Sequence, residues 1–219
     1  MSSLVHWWVA CAWRLAWESA QNPQPPSATA HLYLESGEAL ASSHPGALLL
    51  AAWQELAVRP CLILVPHQVH PENMAHLYHD LQNRSIAFVK ASAMNEKFDP
   101  EREVLVIDQT GYLVELYSIA SIAYVGGGFG VNVHNTLEPA VYGIPVVFGP
   151  RYHNSPEAEG LVEANGASVI HDQSTLSSLL NEMVTNTAER EKRGKAAETF
   201  VKERTGATAI IADSIMNLL

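Results

Sequence analysis

Four short runs constrain this chain most: Cys61-Leu-Ile-Leu-Val65, Val104-Leu-Val-Ile107, Ile122-Ala-Tyr-Val125 and Pro145-Val-Val-Phe148. None contains a charged residue. A strand with one solvated face alternates apolar and polar residues, whereas a strand without that alternation must be covered on both sides. Such strands belong to parallel sheets, and parallel neighbours need helical crossovers. The segments between the runs supply them. Ala47 to Ala57 reads as a helix stopped by Pro60, and Pro71 to Leu81 as a helix with proline in its first turn. Tyr112 to Ala120, Thr136 to Tyr142 and Ser155 to Ala164 follow, the last two closed by Gly143 and Asn165-Gly166. From Ser174 the chain reads as helical, with a break near Thr205-Gly206. His31 to Glu35, Ile86 to Val89 and Ala167 to Ile170 read as further strands, and Ala91 to Arg102 as a loop. The expectation is a doubly wound α/β domain, a parallel sheet with helices on both faces.

The 219 residues allow one large domain or two small ones, at roughly 100–200 residues per domain. With 47% hydrophobic and 16% charged residues the chain is neither disordered nor charge-extended. Thirteen Lys and Arg against 23 Asp and Glu leave a net charge of −10, which argues against nucleic acid as a partner. Cys11 and Cys61 cannot form a disulfide framework or a four-thiolate zinc site, so a reducing, cytoplasmic compartment is expected. The first 39 residues stand apart. Leu4 to Trp17 hold four of the five tryptophans. The stretch is too short to span a bilayer, Arg14 interrupts it, and it lacks the basic start of a secretory signal. It reads as a membrane-surface helix or as a packing helix. Gln21 to Ser27 then reads as a proline-rich linker, leaving residues 40–219 as the organised domain.

In doubly wound sheets ligands bind outside the carboxyl ends of the strands, at the switch in strand order. The turn after Val125 is Gly126-Gly-Gly-Phe-Gly130, leading into His134-Asn-Thr-Leu-Glu-Pro139. A glycine loop there lets backbone N–H groups approach a phosphate or a sugar, with Gly127 and Gly128 at its centre. It does not have the Gly-x-Gly-x-x-Gly spacing, and no Gly-Lys-Ser/Thr follows, so dinucleotide oxidoreductases and P-loop NTPases lose ground. Glu138 could complete a capping box with Asn135. Pro139 favours Thr136 as the cap instead, since proline then falls within the first turn. Glu138 is in that case free to accept the hydroxyls of a ribose, which we favour over capping. His67, His70, His76 and His79 invite a metal, but no His-Glu-x-x-His and no thiolate accompany them, and no metal is expected. No Gly-x-Ser-x-Gly elbow supports a serine hydrolase. Glu189-Arg-Glu-Lys-Arg193 reads as a solvated helix face.

The segment Glu138-Pro-Ala-Val-Tyr-Gly-Ile-Pro-Val146 resembles the nucleotide-binding signature of glycosyltransferases with the GT-B fold. With Gly126-Gly-Gly-Phe-Gly130, His134-Asn-Thr-Leu-Glu-Pro139 and Phe148-Gly-Pro150, it resembles more specifically the 3-deoxy-D-manno-octulosonic acid (Kdo) transferases of lipopolysaccharide synthesis. Leu64 to Asn73 and Ile107 to Tyr117 lie where that family has further motifs. The resemblance runs from about Pro45 to Ile170, and residues before Leu40 have no match in it. It implies a Rossmann-like domain, one half of a GT-B enzyme, holding the donor CMP-Kdo for metal-independent, inverting transfer to a lipid A precursor. By position, Pro66, His67, Thr110, Gly111, Tyr112, Asn135, Thr136, Leu137 and Glu138 would contact the donor. Many members carry Arg at the place of His67 and Glu at that of Tyr112, so phosphate pairing here would rest on a histidine. The family's general base, a Glu, lies in an N-terminal acceptor domain without a counterpart in these residues. No catalytic residue is therefore assigned, and Glu35 and Glu38 are not promoted to that role. The expected chain is a donor half, inactive alone, present as a fragment or working with a separate acceptor-half polypeptide. It would act in the cytoplasm, peripherally at the inner membrane. Two other readings stand beside it: a GT-B enzyme using a UDP or GDP sugar, and a non-catalytic nucleotide-binding module.

Overall fold

The computed structural model describes residues 32–36, 45–93, 98–100, 102–111, 113–130, 132–205 and 215–216, with backbone alone for 32–36 and 45. The tryptophan-rich segment, the proline linker and Gly206 lie outside them. Seven strands form one sheet: β1 (Leu32–Ser36), β2 (Leu62–Pro66), β3 (Phe88–Lys90), β4 (Val104–Val106), β5 (Ile122–Val125), β6 (Val146–Phe148) and β7 (Ala167–Val169). Their order is β3-β4-β2-β1-β5-β6-β7, and every pairing is parallel. The helices are α1 (Pro45–Glu55), α2 (Pro71–Asn83), α3 (Leu113–Tyr117), α4 (Leu137–Val141), α5 (Pro156–Glu163), α6 (Gln173–Thr185) and α7 (Thr187–Lys202).

The apolar runs are covered on both sides, as the lack of alternation requires. Successive side chains in a strand point to opposite faces. Leu62, Leu64, Val104, Val106, Ile122, Tyr124 and Val147 pack on one face with Leu49, Leu50 and Trp53 of α1, Leu77 and Leu81 of α2, and Leu176 and Leu180 of α6. Ile63, Leu105, Ile107 and Ala123 point the other way, against Leu116 and Tyr117 of α3. Val125, Val146 and Phe148 meet Ala140 of α4, Ala158 and Leu161 of α5, and Ala197 and Phe200 of α7. Trp53 is enclosed, and its indole N–H donates to the Pro60 carbonyl at 2.9 Å, so burying it strands no donor. Cys61 is buried beside β2, and loss of water pushes its thiol up to about 12, which keeps it neutral.

Three expectations change. The helix from Tyr112 to Ala120 is a short helix, Leu113–Tyr117. The C-terminal helical region has an additional, earlier break at Asn186, which caps α7 by accepting from the Glu189 N–H at 3.1 Å, and α7 itself ends at Lys202, close to the expected break at Thr205. Glu189 to Arg193 is not simply a solvated face. Arg193 donates to Glu189 Oε1 at 2.9 Å, Ser168 Oγ at 2.8 Å and Glu182 Oε2 at 3.3 Å, tying α7 to β7 and α6. A guanidinium can do this because it offers five donors in a planar fork.

The crossing of α7 over the end of α4 depends on Gly194. A Cβ at this position would collide with the Gly143 carbonyl oxygen. In an open helix Gly→Ala stabilises by about 1 kcal/mol, through lower backbone entropy cost. Here the sign reverses: Gly194→Ala is expected to destabilise by about 1–3 kcal/mol, the usual cost of overpacking. The midpoint of urea unfolding checks it.

Candidate functional site

β1 pairs with β2 on one side and with β5 on the other, so the chain reverses its direction of winding there. The crevice above the end of β1 is bounded by the turns that follow β2 and β5. Pro66 ends β2, and His67 follows it into the exposed turn. Gly126 to Gly130 follow β5. Their loop is closed by Gly130 N–H donating to the Gly127 carbonyl at 2.8 Å and His134 N–H to the Gly126 carbonyl at 3.1 Å. Strands two apart in a sheet lie about 10 Å from one another, yet His67 and His134 bring their rings to 5.0 Å between centroids. They lean toward each other across the crevice.

The loop after β6 lies on the glycine loop with backbone against backbone. Arg151 N–H donates to the Gly128 carbonyl at 2.8 Å, and Arg151 Nη1 to the Gly130 carbonyl at 2.9 Å. Asn154 donates to Asn132 from one loop to the other. Arg151 is the one Lys or Arg among the described residues of the turns after β2, β4, β5 and β6. Beyond it, His153 Nδ1 lies 2.8 Å from Glu159 Oε1.

Thr136 occupies the cap of α4, with its side chain buried and making no capping hydrogen bond. Pro139 falls in the first turn, as the sequence suggested, where no intrahelical N–H is required. The half-buried Glu138 is not free, however. Asn135 accepts from the Leu137 N–H at 3.0 Å through Oδ1 and donates from Nδ2 to Glu138 Oε1 at 2.9 Å. Neither the capping box nor an unpartnered carboxylate describes this arrangement. The Asn135 amide holds the Glu138 carboxylate, which retains lone pairs for other donors.

No protein-family model matches the chain. Individual proteins do. The 3-deoxy-D-manno-octulosonic acid transferase of Haemophilus influenzae is 30% identical over 185 residues, 83% of this chain and 40% of that protein. Its counterpart in Bordetella pertussis is 28% identical over 172 residues, 78% of this chain and 40% of that protein. The chain is a relative of the Kdo transferases. It spans about 40% of the length of these two relatives. Among solved structures, the C-terminal CMP-Kdo binding domain of WaaA from Acinetobacter baumannii superposes with a TM-score of 0.69 at 21% identity. The match covers 88% of this chain and 98% of that domain, and supports the GT-B type of fold.

Of the positions to which the likeness to Kdo transferases points, Pro66 and His67 stand at the end of β2. Thr110 and Gly111 stand in the turn after β4, and Asn135 to Glu138 at the start of α4. Tyr112 lies outside the described residues. The glycines also have a packing role within the protein. Gly127 has φ +87°, and a Cβ there would strike the Asn132 carbonyl oxygen and approach His134 Cδ2 to 2.8 Å. A Cβ on Gly128 would lie 2.6 Å from the Gly149 nitrogen. Both are thus required by packing within the site before any ligand arrives. His134 and Arg151 were not singled out from sequence. The visible signals were that His134 is the ionisable residue of the glycine loop, and that Arg151 directly follows Phe148-Gly-Pro150.

His76 and His79 lie exposed on α2, and among the described residues no group of three or more His, Cys, Asp or Glu side chains is placed to hold a metal. Gly128→Ala is expected to force the loops after β5 and β6 apart and to cost about 1–3 kcal/mol of stability. Gly130→Ala should be tolerated, because the nearest atom to a Cβ there is the Gly127 carbonyl oxygen at 3.4 Å. Thermal unfolding of the two variants side by side checks the difference.

Proposed function

We propose that this chain holds CMP-Kdo as the donor-binding part of a Kdo transferase, which passes Kdo to a lipid A precursor. The observation that carries the reading is the meeting, at the switch between β2 and β5, of His67 with a glycine loop and a carboxylate-bearing helix start. The likeness to Kdo transferases over most of the chain supports it. In this reading Glu138, held by Asn135, accepts the ribose hydroxyls. Charged acceptors suit this role because their hydrogen bonds contribute more than neutral ones. Pro66, Thr110, Gly111, Tyr112, Thr136 and Leu137 shape the pocket for the base and the sugar. The general base that activates the acceptor hydroxyl would come from acceptor-binding residues other than those of this donor site, since a base must reach the proton it removes.

The reaction in this reading needs no metal, and the lipid acceptor places it at the cytoplasmic face of the inner membrane. Among the described residues no helix is long and apolar enough to cross a membrane. Isothermal titration with CMP, UMP and GDP tests the assignment. CMP is expected to bind best, with affinity unchanged by EDTA. Glu138→Ala should weaken CMP binding about 10- to 100-fold, the value of a charged hydrogen bond at about 1.5–3 kcal/mol. Preference for UMP or GDP would favour a different nucleotide-sugar donor, and undiminished CMP affinity in Glu138→Ala would remove the ribose assignment.

A further inference from the structure

Among the described residues six large hydrophobic side chains are exposed, and three of them stand together. Val114 in α3 is 51% exposed, and Val141 and Tyr142 at the end of α4 are 46% and 43% exposed. Val114 lies one helical turn before Tyr117, whose buried ring is 6.2 Å from the Tyr142 ring, centroid to centroid. The two short helices touch, so their outer side carries one apolar patch, bordered by the exposed Glu115 and Ser118. Hydrophobic side chains scattered singly over a surface call for no explanation, whereas a contiguous patch marks a place that something covers.

We infer that the tryptophan-rich residues 4–17, which lie outside the described part of the structure, dock on this patch of their own chain. They contain four tryptophans and a single Lys or Arg, Arg14. Such a segment has apolar surface to bury and is too short to bury it by spanning a bilayer. The chain also enters the domain beside the patch. All strands begin on one edge of the sheet, and β1 begins there at Leu32. Helix α4 leaves the opposite edge after β5 and returns to this one at Tyr142, shortly before β6 starts at Val146. Only β5 separates β1 from β6, so the two strands lie about 10 Å apart. Residues 18–31 reach up to roughly 46 Å when extended, far more than the path requires.

The charges select this occupant over others. Glu115 stands exposed beside Val114, and Arg14 is the cation that the docked segment brings to it. Residues 207–219 are apolar as well, but their one charged side chain is Asp213, which Glu115 repels. An anionic bilayer is a poor cover for the segment, because surface-bound helices carry several Lys and Arg and this chain has a net charge of −10. Docking has a consequence for the candidate site. Helices α3 and α4 begin at the turns that hold Thr110 and Gly111 and Asn135 to Glu138, so the segment braces both helices from outside.

Cys11, within the segment, provides the test in the full chain, because Cys61 is buried with its thiol pushed up to about 12 and stays unreactive. Ser118→Cys puts a second thiol on the border of the patch. Ser178→Cys puts one on α6, also exposed but on the opposite face of the sheet. With a short bis-maleimide, Ser118→Cys is expected to link to Cys11 within the chain at least about tenfold faster than Ser178→Cys, since docking raises the local concentration. Adding Val114→Asp and Tyr142→Asp, at exposed positions where the urea midpoint should hold, is expected to remove that preference. The same two changes should open the segment's tryptophans to acrylamide quenching, while Trp53 stays enclosed. Equal linking rates in the two cysteine variants, or a preference that survives the paired Asp changes, would overturn the docking. Links formed between chains would overturn it by giving the patch to a second copy. Tryptophans protected only after vesicles of phosphatidylcholine and phosphatidylglycerol are added would overturn it by giving the segment to a lipid surface.

Discussion

The hydrogen bonding of β1 to β2 on one side and β5 on the other is the constraint from which the site follows. Because all seven strands run parallel, their carboxyl ends lie on one edge of the sheet. Because β1 is flanked by strands reached in opposite directions, the turns leaving β2 and β5 part above it and leave a crevice. His67, His134 and the start of α4 lie at this crevice because β2 and β5 end there. A change of register in β1 would move both walls at once.

The second dependence is steric. The loops after β5 and β6 approach so closely that Gly128 and Gly149 touch backbone to backbone: a Cβ on Gly149 would lie 2.6 Å from the Gly128 carbonyl carbon and 2.5 Å from Phe129 Cδ2. This contact lets Arg151 reach across to two carbonyls of the glycine loop. A site built this way is preorganised by its own packing. Its glycines are required by packing even without a ligand. On the far face, α7 secures the end of α4 through Gly194, and Arg193 joins α7 to β7 and α6, so the support of the site extends to the C-terminal helices.

Much of this was legible in advance, and the reasons are local. Unbroken apolar runs such as Val104 to Ile107 can be satisfied only by burial on both faces, so their sheet type followed from composition. Pro139 placed the helix start because its missing N–H is harmless only in the first turn. The earlier break in the C-terminal helices was not legible, because Asn186 breaks the helix only by capping the next one. Arg193 looked solvated because a run of five charges carries no sign of which member turns inward.

The sequence by itself determined the class of fold, the edge of the sheet on which ligand chemistry lies, and the residues that bring the chain close to the Kdo transferases. These depend on hydrophobic pattern, proline and glycine, whose effects act within a few residues. Only the tertiary structure decided that Asn135 holds Glu138, that Gly128 answers to Gly149, and above all that His67 and His134 face one another. Sixty-six residues separate the two histidines along the chain, and only the pairing of β2 and β5 with the same central strand brings them together.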